Sequence, residues 1–411
     1  MGVAAGVFPA WTPPPMVNVS RLASALARPF ALLVVASLGA VLFCVGCQDS
    51  ALPGAGTTTA ADSKESKTAA LSSDEVLKAR LDDAITFTRD RHLDPKRNNA
   101  WQIIHGVLAY GNDLQLNVDG KLHPAVDWIL AGGQFKGWNL VPAEKGVESI
   151  MDPGNKVGEG HEDQWIGYLS QTGIPLDHPV KVGDQTFKVR DMLTQAQWDM
   201  RDGMEGTFTL MALATYLPLD AHWKTKDGSD WTIDRVVKME ATQHKSVEQL
   251  SAESACGGTH RLYALATALN KYQRTGKPLT GGWLSAYEKV QGAIAAARDY
   301  QQPDGTLSVN FFTRSGSSPD IAARLYAGGH ALEFLAVAAS DKELRSPWFT
   351  RAVESLLTML ELTRDEDLEC GALYHAAHGL RIYKSRRFGD YPLPGVTMPP
   401  ANTADQTTAA R

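Results

Sequence analysis

Residues 253–272 read ESACGGTHRLYALATALNKY. A Gly-Gly turn opens the segment, a His follows in the first helical turn, and the remainder runs apolar. Leu262, Leu265, Ala266, Leu269 and Tyr272 recur at three- and four-residue spacing, which makes one packing stripe of an α-helix. His260, Ala264 and Thr267 share a second face, and two of these three are small. A packed face beside a small-residue face predicts a helix that walls a cavity.

The pattern recurs along the chain. YAGGHALEFLAVAAS (326–340) sets Gly328, Gly329 and His330 ahead of an apolar run, and CGALYHAAHGLRIY (370–383) puts His375 and His378 on one face. Weaker copies are NAWQIIHGVLAY (99–110), GHEDQWIGYL (160–169) and GMEGTFTLMALATYL (203–217). Repeats of this kind decide a fold before other signals do. Ahead of each copy lies a further helical segment, at 74–91, 124–131, 189–200, 231–247, 283–302 and 347–362. Twelve helices in alternating outer and inner order predict an all-α fold, an (α/α)6 toroid. An open solenoid of helical hairpins produces the same pattern; the closed form is preferred because polar residues gather at corresponding inner-helix starts. Around 112–190 the helical rhythm breaks. LQLNVDGKLH, with Asp119-Gly120, and VKVGDQTFKV, with Gly183-Asp184, predict short β-hairpins.

Composition narrows the function classes. A chain of 411 residues, 44% hydrophobic, can bury a large core, and the net charge of −6 is mild. No Lys/Arg stripe occurs, so nucleic acid is excluded as a partner. Four cysteines, at 44, 47, 256 and 370, make neither a disulfide framework nor a zinc finger.

The segment 1–47 predicts an export signal. Arg21 and Arg28 supply the basic region, with Met16 as the start, and PFALLVVASLGAVLF (29–43) supplies the apolar core. CVGC (44–47) resembles a bacterial lipobox, although Cys44 stands where that pattern prefers Leu. The resemblance implies lipidation of Cys47 and a body held at the membrane, facing an extracytoplasmic space. An uncleaved anchor is the alternative, since 29–46 is about long enough to span a bilayer. Residues 48–72 read as a flexible tether, 73–395 as the helical domain, and 396–411 as a disordered tail.

YQQPDGTL (300–307) resembles the QW repeat of the terpenoid cyclase and prenyltransferase toroids, with Gln301 and Gly305 in place and Leu307 where Trp is expected. The resemblance implies a helix ending at an outer–inner turn. The cyclase chemistry does not follow, because Asp365-Glu366-Asp367-Leu368 is not the Asp-x-Asp-Asp acid of that family. The zinc set of the prenyltransferases has no counterpart, and the adjacent Cys-His pair of the lanthionine cyclases fails at Gly371. The body also resembles uncharacterised lipoproteins of planctomycete-like bacteria. The GTPase-activating label that some of them carry implies a four-Cys zinc finger, which this chain lacks.

Parallel inner helices would gather their N-termini around one mouth. His260, His330, His375 and Glu205 are the candidate acid–base residues there, because His titrates near neutral pH. His161, Glu162, Arg261 and His378 are candidate ligand contacts, with Trp101 and Trp165 as platforms for sugar rings. Cys256 and Cys370 read as buried small hydrophobes, and the glycine pairs as tight turns or close helix packing. His161-Glu162-Asp163 does not bind one ion, because consecutive helical residues diverge by about 100°; no metal and no cofactor is assigned. Three functions stay open: a lyase, epimerase or hydrolase acting on an acidic carbohydrate, a toroid that binds a glycan, peptide or isoprenoid without turnover, and a scaffold for protein partners. The first leads.

Overall fold

A computed structural model describes residues 72–151, 160–389 and 393–400. The chain separates into two units, Met1–Thr68 and Ala69–Arg411, and every described residue belongs to the second. The segments read as export signal and tether, with Cys47, fall within residues 1–71 and, like residues 401–411, lie outside the described residues. No described helix is long and apolar enough to cross a membrane.

The architecture is mostly helical, with four separate two-stranded hairpins. The repeated segments form α2 (Ala100–Tyr110), α4 (Gln164–Ser170), α6 (Thr207–Tyr216), α9 (Thr259–Gln273), α11 (Ile321–Ala338) and α14 (Cys370–Phe388). Ahead of each stands its partner: α1 (Ser73–Arg89), α3 (Ala125–Leu130), α5 (Val189–Asp199), α7 (Ile233–Thr242), α10 (Gly281–Asp299) and α13 (Pro347–Leu362). Local chemistry starts these helices where the spacing places them. Ser72 and Glu75 form a reciprocal capping box on α1, and Asn99 and Gln102 do the same on α2. Glu369 caps α14 by accepting from the backbone N–H groups of Gly371 and Ala372.

The two sets differ in burial. In α9 every residue from Thr259 to Asn270 is buried, and in α14 every residue from Cys370 to Lys384. A helix enclosed on all sides needs no polar stripe. The face carrying His260, Ala264 and Thr267 is therefore packed, not open as the small side chains suggested. Each inner helix lies against the next: α2 on α4, α4 on α6, α6 on α9, α9 on α11, α11 on α14, and α14 on α2. Each buried leucine of the α9 stripe (Leu262, Leu265, Leu269) contributes about 1.5–3 kcal/mol from burial.

The two glycine pairs do different work. Gly257 and Gly258 adopt φ of 63° and 72°, forming the turn that the sequence suggests. In α11, by contrast, the helix begins at Ile321, so Gly328 and Gly329 lie inside it. A Cβ on Gly329 would sit 2.8 Å from the Ala376 backbone N, and one on Gly379 would sit 2.8 Å from the Glu333 N. These glycines let α11 and α14 touch backbone to backbone. His260 and His330 are thus not equivalent: one stands in the first turn of its helix, the other in the third.

Hairpins β1–β2 (Gln115–Val118, Lys121–Pro124) and β5–β6 (Pro179–Val182, Gln185–Lys188) occupy the expected places. Asp119 and Gly120, with φ of 52° and 81°, make the two-residue turn of the first. Hairpins β3–β4 (Trp138–Pro142, Val147–Met151) and β7–β8 (His222–Lys224, Asp230–Thr232) were not anticipated, nor were the short helices α8 (Val247–Glu253) and α12 (Asp341–Leu344). The β7–β8 hairpin lies beyond 190 and takes the start of the segment read as a helix from Trp231. Residues 396–400, read as the start of the disordered tail, are among the described residues and are held to α9: Asn270 donates to the Thr397 carbonyl and Arg274 to that of Met398.

Candidate functional site

Five histidines meet in the interior, each on or beside an inner helix. His105 stands on α2, His161 just ahead of α4, His260 on α9, His330 on α11 and His375 on α14. Ring centroids lie 3.8 Å apart for His330 and His375, 5.0 Å for His260 and His375, and 5.3 Å for His260 and His330. His105 reaches His375 at 5.0 Å, and His161 reaches His260 at 6.1 Å. Four of the five are buried, with His375 at 0% exposure, so the open mouth expected from the sequence is a closed interior.

The hydrogen bonds fix which ring nitrogen carries the proton. His105 Nδ1 donates to the Trp101 carbonyl at 2.5 Å, and His330 Nδ1 to the Tyr326 carbonyl at 2.8 Å. A carbonyl only accepts, so these Nδ1 atoms are protonated and the Nε2 atoms hold lone pairs. His375 Nδ1 donates to Glu333 Oε2 at 2.8 Å, and His378 Nδ1 to Glu333 Oε1 at 2.6 Å. His161 Nδ1 pairs with Glu205 Oε2 at 2.8 Å. The Nε2 atoms of His260 and His375 then face each other at 3.4 Å.

Burial sets the charge. Desolvation, reinforced by the neighbouring imidazoles, holds His105, His260 and His330 well below the ordinary histidine range, and desolvation takes His375 to about 3. These rings are neutral at neutral pH. Burial raises the Glu333 pKa, against the opposing effect of the His378 bond. Among the described residues no Lys or Arg forms an ion pair with Glu333; its salt-bridge partners are His375 and His378.

Two sets of donor atoms lie within 4.8 Å of one another: Cys256, His260 and His330, and His260, Glu333 and His375. Cys256 holds a left-handed backbone, φ 52°, and its Sγ lies 3.0 Å from the Tyr326 hydroxyl. Cys256 is thus partly exposed and beside the cluster, whereas Cys370 is buried as expected.

The remaining candidates scatter. Arg261 turns away from the five clustered histidines, donating to Glu240 at 2.8 Å and lying 2.9 Å from Nδ1 of a sixth, His244, because a buried guanidinium takes the carboxylate within reach. Glu162 is exposed and accepts from Arg201 at 2.6 Å. It borders a cleft of about 690 Å³ that also includes Asp163, Asp199 and Lys226 and that no histidine lines. Trp165 is buried against Phe135 and Trp138 and offers no platform. Trp101 is half-buried and tilts over His105 at 4.2 Å. His378 lies behind Glu333, bordering a pocket of about 210 Å³ with Asn112, Thr172 and Arg381.

Sequence reasoning missed His105, Glu333 and Tyr168. A signal existed for the first two. His105 occupies the first repeat copy, and Glu333 is the one charge inside the apolar run HALEFLAVA. Tyr168 gave none, because a tyrosine in an apolar helix reads as core. Comparisons with protein families, curated proteins and solved structures found no match to this chain.

Proposed function

We propose that this chain is an exported, lipid-anchored envelope protein whose inner helices close as an (α/α)6 toroid around a centre for a divalent transition metal such as zinc. The unbroken cycle of neighbours from α2 through α14 and back to α2 supports the toroid. One observation carries the metal: Nε2 of His375, deprotonated by its bond to Glu333, faces Nε2 of His260 at 3.4 Å. Two nitrogens bound at 2.0–2.1 Å in a tetrahedral shell stand about 3.3 Å apart. Histidine ligands characteristically give their other ring N–H to a carboxylate or a backbone carbonyl, which is the arrangement at His375, His330 and His105. A cation also compensates the buried Glu333 carboxylate, which without one carries a large desolvation cost.

In this reading His260 and His375 hold the metal, His330 or Cys256 supplies a third donor, one position stays open, and Glu333 orients His375. Neutral imidazoles in a closed interior act as ligands or bases more readily than as acids, so this centre replaces the acid–base bowl of the sequence reading. The substrate class proposed from sequence, an acidic carbohydrate-like ligand, remains compatible with a Lewis-acidic ion that attracts anionic oxygen.

The deciding experiment is metal analysis of purified protein, with cobalt substitution after chelation. About one equivalent of tightly held metal is expected in the wild type and a large loss in a His260→Ala, His375→Ala double variant. Metal-free wild type that takes up no cobalt would end the proposal. For the anchor, Cys47→Ala should abolish incorporation of labelled fatty acid; equal labelling in both forms would exclude lipidation at Cys47.

A further inference from the structure

Two polar groups on α4 face the interior with nothing to bond beyond each other. The Tyr168 hydroxyl and the Gln164 amide nitrogen are buried, each residue 1% exposed, and neither atom has a hydrogen-bond partner outside this pair. They stand four residues apart, so they share a face of the helix. Leaving a buried donor unmade costs about 1–3 kcal/mol. Nine buried side-chain atoms among the described residues lack a partner, and these two are set apart by lying together beside the histidines.

Their surroundings are the histidine cluster. The Tyr168 ring meets His105 edge-on at 5.4 Å, His375 at 6.3 Å and His260 at 6.5 Å. Gln164 is held from the other side, its Oε1 accepting from the His161 backbone N–H at 3.2 Å. That bond fixes the amide so that its NH₂ end is left to donate. A phenol carries its own proton to donate, and the amide nitrogen of Gln164 is a donor as well. The histidine Nε2 lone pairs and these two donors are complementary halves. The lone pairs suit a cation, and the donors suit an anionic oxygen next to it.

We propose that Tyr168 and Gln164 are the donor pair that binds an anionic oxygen ligand (hydroxide, or an oxygen of a small carboxylate or phosphate) at the open position of the metal. The assignment rests on the metal reading above. It makes Tyr168 a group that touches the ligand, and it restricts that ligand to one whose oxygen reaches an enclosed centre.

Cobalt-loaded wild type and Tyr168→Phe are titrated with acetate, following the visible absorption of the bound cobalt. Phenylalanine keeps the ring and removes only an atom with no partner outside the pair, so metal-free Tyr168→Phe should melt at or above the wild-type temperature. Cobalt uptake should be unchanged, and acetate should bind roughly tenfold or more weakly, the loss expected for one hydrogen bond to a charged acceptor. Gln164→Leu should weaken acetate in the same direction. Equal acetate affinity in wild type and Tyr168→Phe would overturn the donor role while leaving the metal centre standing. Loss of cobalt in Tyr168→Phe would overturn it too, since the phenol would then be needed for metal retention. Wild type that takes no cobalt overturns both proposals.

Discussion

Gly379 lies directly against Glu333: a Cβ at 379 would come within 2.8 Å of the Glu333 backbone nitrogen. That contact sets the distance between α11 and α14, and so whether one carboxylate can reach His375 and His378 together.

Gly379→Ala sets two effects against each other. Ala in place of Gly favours a helix interior by about 1 kcal/mol. The clash is with backbone, which cannot rotate away, and overpacking of this kind costs about 1–3 kcal/mol. The clash should win. The variant is expected to melt earlier than wild type and to hold metal less tightly; a variant that melts later would show that α14 can shift at no cost.

Glu333→Gln keeps the shape and changes the protons. A carboxamide accepts from one histidine but offers N–H to the other, forcing that ring to move its proton to Nε2. Where that ring is His375, the lone pair facing His260 is lost. Metal affinity should fall roughly 10–100-fold, the usual effect of removing an orienting carboxylate, with secondary structure intact. Chelator competition measures it, and unchanged affinity would remove Glu333 from the centre.

Asp163 gives a pH prediction that does not depend on bound metal. Burial raises its pKa from 3.8 to about 6, despite the Thr209 hydroxyl that donates to it. Between those values the folded chain holds a proton that the unfolded chain releases. The stability from this group is therefore present at low pH and lost as pH rises through about 6. Asn tolerates the left-handed backbone at this position, φ 59°, and still accepts from Thr209. Asp163→Asn should be more stable than wild type by about 1–2 kcal/mol at pH 7.5, with the gap closing towards pH 4. Parallel melting curves across that range would refute the shift.

Gln301 should matter to the fold and not to the site. Its amide donates to the carbonyls of Gly305 and Trp348, and its oxygen accepts from Arg351, which ties the turn after α10 to α13. Gln301→Ala should cost about 1–3 kcal/mol in denaturant unfolding and leave cobalt uptake as in wild type. Equal loss of metal would mean that this turn supports the centre directly.

The helices were legible because their information is local. Apolar spacing predicted α1 and α2, which the caps at Ser72 and Asn99 start, and the regular return of Gly, His and Leu predicted the six inner helices. The turn signals at Asp119-Gly120 and Gly183-Asp184 gave two hairpins. The β3–β4 hairpin turns through Ala143–Gly146, which carries no two-residue signal. The site was legible only as a list of polar residues at helix starts. Whether a histidine faces a cavity or a neighbour depends on how closely two helices approach, and that distance is set by glycines far apart in sequence. Gly329 read as a turn or packing residue and Gly379 had no reading of its own; their joint effect, a carboxylate between two imidazoles, appears only when both helices are in place. Arg261 misled for a related reason. Its buried partner, Glu240, comes from α7, a helix that the repeat pattern treats as outer.

The placement of α14 makes assembly of the centre a matter of timing. This helix carries His375 and His378 and is the last one described, yet it packs against α1 and α2 at the opposite end of the described chain. Contacts of such long sequence separation form late, because the loop-closure entropy must be met before they return any energy. A nascent or truncated chain that stops before residue 370 has His260, His330 and Glu333 but neither the two histidines that Glu333 holds nor the backbone contact at Gly379. Metal captured at that stage would meet a partial, weaker set. Tight retention would then report that the polypeptide is both complete and folded, and a cell that loads metal after export would thereby sort finished molecules from unfinished ones.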